Sequence, residues 1–165
     1  SFLCVDKIDK NLFVVCPIES KKYYFKLKNK PFIRDIRSEI IKNAKMLAGS
    51  PYLWGGKTPF GYDCSGFVQS VCRVSGIKLK RDATDQIKDN RMVSIDIEIA
   101  KPGDIIFFSM KENYVDHVGF YLGHKSIIHS SGEVKIDSLD IGLENNLAES
   151  IIDVKSIDSL VKNSG

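Results

Sequence analysis

No stretch of this 165-residue chain holds enough consecutive apolar residues to span a bilayer. Its opening, SFLCVDKIDK, lacks the basic lead and the apolar run of a secretory leader. An excess of one charge is missing too. The 24 basic residues meet 21 acidic ones, the net charge is +3, and no long basic run suggests a nucleic-acid partner. The four cysteines form no C-x-x-C pair, so their spacing writes neither a zinc knuckle nor a dithiol redox site. Internal repeats and low-complexity tracts are absent. What remains is 43% hydrophobic and 27% charged, the composition of a chain with one real core. One main domain is expected, with a small appendage.

The appendage is residues 1–30. FLCVDK, LFVVCPI and KYYFKLK are short β-rich runs between polar turns. Cys4 and Cys16 fall in these runs and read as buried thiols or as a pair. NKPF, 29–32, marks the junction, because the residue before a proline disfavours helix. The main domain is then 31–165. Asp35 caps a helix whose apolar residues Ile36, Ile40, Ala44, Leu47 and Ala48 recur at near-helical spacing, ended by Gly49 and Pro51. The loop YLWGGKTPFGY follows. A second helix starts near Cys64, with Phe67, Val68, Val71 and Cys72 as its apolar stripe and Gly76 as its stop. DATDQIKDN, 82–90, predicts a short polar helix, and KPGD a turn in which Asp104 is turn chemistry. IIFFSM, DHVGFYLG and KSIIHSSG predict strands, with VKIDSL and SIIDVKS as weaker ones. Helices first and an antiparallel meander after them make an α+β chain.

Cys64 stands between Asp63 and Ser65 at a helix start. A thiol attacks a carbonyl as thiolate. A helix N-terminus favours that anion, and a neighbouring imidazole takes the proton. Only three histidines exist. His124 falls in a tight turn and is expected in solvent. His117 and His129 lie on adjacent strands and are expected directly opposite each other, where side chains touch. This arrangement gives a nucleophile, Cys64, a base, His117, and an orienting group, His129. The same residues also read as an inert cysteine with two half-buried histidines, or as metal ligands. Zinc is disfavoured by the spacing and by the want of a fourth ligand.

YLWGGKTPFGYDCSGFV, DHVGFYLG and IIHSSG, in this order, resemble the NlpC-type cell-wall peptidases, papain-like bacterial enzymes, over about residues 35–155. The resemblance implies a papain-like fold in which the cysteine helix packs on a sheet bearing both histidines. It implies hydrolysis, with no metal or cofactor, of the γ-D-glutamyl bond to a diamino acid in peptidoglycan stem peptides or muropeptides. It makes Cys64 the nucleophile, His117 the base and His129 the third polar member. Tyr52 matches a family tyrosine whose hydroxyl donates to the oxyanion, or else it is an aromatic packing residue. Asp63 and Ser65 match positions that bind a free amino terminus in a subgroup carrying Src-homology-3-like barrels, of which residues 1–30 would be a remnant. Asp63 also reads as a helix cap. RDATDQ resembles the same subgroup. It makes Arg81 a candidate for a substrate carboxylate, against the plainer reading of a solvated surface arginine. Gly55, Gly56, Gly61 and Gly66 read as structural, and Trp54 as core or pocket wall. The rival functions are a papain-like acyltransferase, whose histidine precedes its cysteine, and an inactive wall-binding module. The thiols and the lack of a leader set an expectation of cytoplasmic muropeptide recycling over a secreted or wall-associated protein.

Overall fold

Asp35 opens α1 (Ile36–Met46) by accepting from the Ser38 N–H at 3.3 Å. The computed structural model describes residues 4–8, 11–18, 21–26, 35–109, 114–140 and 147–162, the first three segments by their backbone. The chain divides into two units, Ser1–Arg34 and Asp35–Gly165. In the first, β1 (Cys4–Ile8), β2 (Asn11–Ile18) and β3 (Lys21–Lys26) form an antiparallel sheet in that order. The side chains of Cys4 and Cys16, and the NKPF junction, lie outside the described residues.

The second unit is helices against a sheet. Ile36, Ile40 and Ala44 are the buried stripe of α1. After β4 (Lys57–Thr58) and β5 (Gly61–Tyr62) comes α2 (Cys64–Val74), which buries Phe67, Val68, Val71 and Cys72. Full burial of such side chains stabilises by about 1.5–3 kcal/mol each. Gly76, at φ +89°, turns the chain out of α2 so that the Ile77 N–H reaches the Cys72 carbonyl at 2.8 Å.

The sheet contains β6 (Val93–Ser94), β7 (Ile105–Phe108), β8 (His117–Gly123), β9 (Ser126–Ser131), β10 (Glu133–Ser138) and β11 (Ile151–Ser156). All its pairings are antiparallel, in the order β10-β9-β8-β7-β11-β6. The meander expected from the sequence is β7 to β10. β11 returns to the far side of β7 instead of extending it, so β7 is interior. Its alternate residues serve two cores. Ile105 and Phe107 pack with α1 and α2, while Ile106 and Phe108 join Tyr121, Ile127 and Leu147 on the other face.

Two local readings need correction. The stretch 82–90 is helical only at α3 (Ala83–Gln86), and Gln86 is buried rather than polar surface. Asp104 is more than turn chemistry. Fully buried, it accepts from Arg37 Nη2 at 2.8 Å, the Lys101 N–H at 2.8 Å and the Ile157 N–H at 3.1 Å. It thereby ties α1 and the turn before β7 to the entry of α4 (Asp158–Lys162).

Candidate active site

Asp63 caps α2 and so fixes its first residue, Cys64. The Asp63 Oδ1 accepts from the Gly66 N–H at 2.7 Å and Oδ2 from the Gly55 N–H at 2.8 Å. Glycine is required at 66, since a Cβ there would stand 2.1 Å from the Gly56 carbonyl oxygen. The glycine-rich loop is therefore pressed against the first turn of α2. The Cys64 thiol donates to the Asp116 carbonyl at 3.8 Å, which brings the helix start to the first residues of β8.

His117 follows at once. Its Nε2 lies 2.6 Å from His129 Nδ1, the rings edge to face with centroids 4.8 Å apart. The expected register does not hold. Gly119, not His117, pairs directly with His129, and His117 sits two residues earlier on β8, on the same face. The imidazoles meet diagonally, and the missing side chain of Gly119 leaves them the room.

The line of contacts continues beyond His129 to a residue that no motif marks. His129 is 2% exposed, and its Nε2 lies 2.9 Å from Asp137 Oδ2 on β10. Lys135 Nζ reaches the same oxygen at 3.0 Å. Lys135 pairs directly with His129, so Asp137 is likewise two residues off the direct partner. Repeating the diagonal step from β9 to β10 is the signal that would have found it.

Burial pushes the His117 pKa down to about 3, helped by His129 and opposed by Asp137. Burial also lowers His129, against the pull of Asp137. Both rings are neutral at pH 7. Burial acts to raise the Asp137 carboxyl, but hydrogen bonds from His129 and Lys135 outweigh it and hold it below the usual carboxylate range. Cys64 departs from the expectation of a resting thiolate. Burial, then the Asp63 carboxylate, pushes its thiol up, and the N–H groups of Ser65, Val118 and Cys64 itself do not overcome this. A sulfur that donates to a carbonyl carries its proton, in keeping with that direction.

Arg81 is not a solvated surface side chain. Its guanidinium forks onto Asp63, with Nη1 to Oδ1 at 3.0 Å and a second bond from Nη2 to Oδ2, and Nη1 also reaches Ser65 Oγ at 3.0 Å. Gln86, which sequence reasoning missed, donates to the Ser65 carbonyl at 3.1 Å and the Lys80 carbonyl at 2.9 Å, holding the Arg81 segment against α2. Tyr52 is held by its N–H to the Gly132 carbonyl at 2.8 Å, and its phenol is pushed up by burial, Cys64 and Asp63. Tyr52, Asp63, Cys64, Arg81, His117 and His129 all line one cleft of about 620 Å³. Trp54 is on its wall, 87% exposed rather than in the core. Among the described residues, no group of three or more His, Cys, Asp or Glu is arranged to hold a metal ion, and no helix is long and apolar enough to cross a membrane.

Residues 49–148, which hold the thiol, both imidazoles and Asp137, match the model of the NlpC/P60 family. The chain belongs to the NlpC/P60 family. It is 42% identical over 94 residues to a γ-D-glutamyl-L-lysine dipeptidyl-peptidase of Bacillus subtilis, covering 56% of this chain and 31% of that protein. A Bacillus cereus protein of the same name is 38% identical over 94 residues, 56% of this chain and 28% of its own length. The chain thus spans about a third of these curated relatives. The crystal structure of an NlpC/P60 family protein from Bacillus cereus superposes with a TM-score of 0.67 at 27% identity, covering 92% of this chain and 52% of that one. As in NlpC/P60 domains, the fold is papain-like α+β.

Proposed function

We propose that this NlpC/P60 protein is a cysteine peptidase that hydrolyses the γ-D-glutamyl bond to lysine or diaminopimelate in peptidoglycan stem peptides. The observation that carries the reading is a cysteine at the first position of a helix, in one cleft with an imidazole that is itself hydrogen-bonded to a second. The kinship with γ-D-glutamyl-L-lysine dipeptidyl-peptidases supports the choice of bond.

The chemistry follows from the protonation states. Cys64 leaves the Asp116 carbonyl and gives its proton to His117 as sulfur attacks the γ-carbonyl carbon. The C–O electron pair moves onto oxygen. The Cys64 N–H, without an intrahelical partner in the first turn, donates to that oxyanion together with the Tyr52 hydroxyl. The oxyanion collapses, the C–N bond breaks, and His117 protonates the departing amine. A thioester remains on Cys64. Water then attacks the thioester as His117 takes its proton, the C–S bond breaks to release the γ-carboxyl product, and His117 returns the proton to sulfur, regenerating the thiol.

Asp63 and Ser65 form the proposed end of the cleft that receives the amino terminus of the peptide, and Arg81, rather than standing free for a substrate carboxylate, is engaged by Asp63 beside them. Asp63 already accepts from Arg81, Gly55 and Gly66, so an incoming ammonium shares that carboxylate rather than meeting a bare charge. Mass spectrometry of products from L-Ala-γ-D-Glu-L-Lys and its diaminopimelate counterpart, with free and acetylated N-termini, tests the reading. Cleavage at the γ-glutamyl bond is expected, faster for the free amine. Acyl transfer from phospholipid with no peptide cleavage would make the protein an acyltransferase, and tight peptide binding without turnover would make it a binding module.

A further inference from the structure

His117, His129 and Asp137 lie on one diagonal across β8, β9 and β10, each step two residues off the direct cross-strand partner. We propose that Asp137 is a positioning residue that fixes the tautomer of His129 and, through it, leaves His117 Nδ1 as the bare nitrogen that receives the Cys64 proton. Its catalytic part rests on the peptidase reading above.

The protons on the two rings follow from the carboxylate. An ionised carboxylate only accepts hydrogen bonds. Asp137 is kept ionised by Lys135 Nζ at 3.0 Å and His129 Nε2 at 2.9 Å, both on Oδ2. The nitrogen facing that oxygen must therefore carry hydrogen. A neutral imidazole has one ring proton, so His129 Nδ1 is bare. The 2.6 Å contact between His129 Nδ1 and His117 Nε2 then needs the proton on His117 Nε2. His117, also neutral, is left with a free lone pair at Nδ1. The opposite assignment sets a bare His129 Nε2 against a carboxylate oxygen at 2.9 Å, two acceptors in contact. One carboxylate so dictates the state of four ring nitrogens.

The same line serves the charged stage. When His117 accepts the thiol proton it becomes an imidazolium, with its Nε2–H already committed to His129. Among the described residues, the charged groups facing this line are Asp137 and Lys135, and both stand at the His129 end. Asp137 offsets the new charge through His129, while Lys135 keeps Asp137 from taking a proton. At metal sites, losing the partner that orients a ligating imidazole costs about 10–100-fold in affinity or activity, and a loss of that order is expected here.

The test is long-range proton–nitrogen NMR on the full chain labelled with 15N-histidine, beside kinetics on a stem peptide. The wild type should show both rings as single Nε2–H tautomers. In Asp137→Ala, both should become tautomer mixtures, and kcat should fall about 10–100-fold with KM within about twofold. Asp137→Asn keeps an oxygen acceptor without the charge. It should restore the tautomers and only part of kcat, and it serves as the readout if Asp137→Ala does not fold. Wild-type tautomers in Asp137→Ala, or a different tautomer in the wild type, would overturn the inference. An inactive wild type with the expected tautomers, lost in Asp137→Ala, would remove the peptidase reading and leave the tautomer assignment standing.

Discussion

Gly119 faces His129 across β8 and β9, and a Cβ on Gly119 would lie 2.8 Å from the Cβ of His129 and 2.7 Å from Ile127 Cδ1. The glycine is thus a space left for the imidazole pair. Gly119→Ala should push His129 out of line with His117 and lower kcat at least tenfold. Overpacking of this kind costs about 1–3 kcal/mol of stability. Activity and urea melts on the same preparation check both. A fully active Gly119→Ala would mean that the spacing of the rings is not set here.

Acid should destabilise the protein through His117. Its folded pKa lies near 3, below the ordinary value of 6.5, so the unfolded chain binds a proton that the native ring refuses. Stability from this group is complete above about pH 6.5 and drains away as pH falls toward 3. Thermal unfolding at stepped pH should show that slope, and His117→Asn should flatten it. Equal slopes for both proteins would refute the buried neutral imidazole.

Arg81→Ala should act on Cys64 without touching it. Asp63 pushes the Cys64 thiol up, and the Arg81 fork is what balances that carboxylate. With the fork removed, the thiol rises further. Iodoacetamide should then label Cys64 more slowly at pH 8 than in the wild type, while Cys72, fully buried, stays unlabelled in both. Lysine, a point charge without the fork, should restore the rate only in part. Faster labelling in Arg81→Ala would contradict this.

Far from the cleft, Asp104→Ala should be the more damaging change to the fold. It strips the Arg37 guanidinium of a buried partner and leaves the Ile157 N–H without its acceptor. Removing one member of such a pair costs about 3–5 kcal/mol. A loss below about 1 kcal/mol in a denaturant melt would show that Asp158 and the Pro102 carbonyl suffice for Arg37.

The helix stripes and the alternation of β8 were legible because each is a local pattern with one period. So was the meeting of Cys64, His117 and His129 in one cleft, because the three share a motif order. Register was not. His124 and Lys125 both take positive φ, at 50° and 53°, forming a two-residue turn between Gly123 and Ser126, and an irregularity between Tyr121 and Gly123 shifts the pairing again. Counting from a guessed turn therefore put His117 opposite His129 when the true relation is diagonal. Asp137 was hidden for the same reason. Arg81 and Gln86 reach Asp63 and Ser65 across 16 to 21 residues of loop and helix, a proximity no periodicity encodes. The thiol's direction was misjudged because the helix start is written in the sequence, whereas burial and the strength of the Asp63 field come only with the fold.

Hydrolysis by this route passes through a thioester between Cys64 and the glutamyl γ-carbonyl. Acid-quenched intact-mass measurement during turnover of L-Ala-γ-D-Glu-L-Lys, followed by peptide mapping, looks for it directly. An L-Ala-D-Glu acyl group on Cys64, absent in Cys64→Ala together with all product, is the predicted result. Product released at an undiminished rate by Cys64→Ala would contradict it.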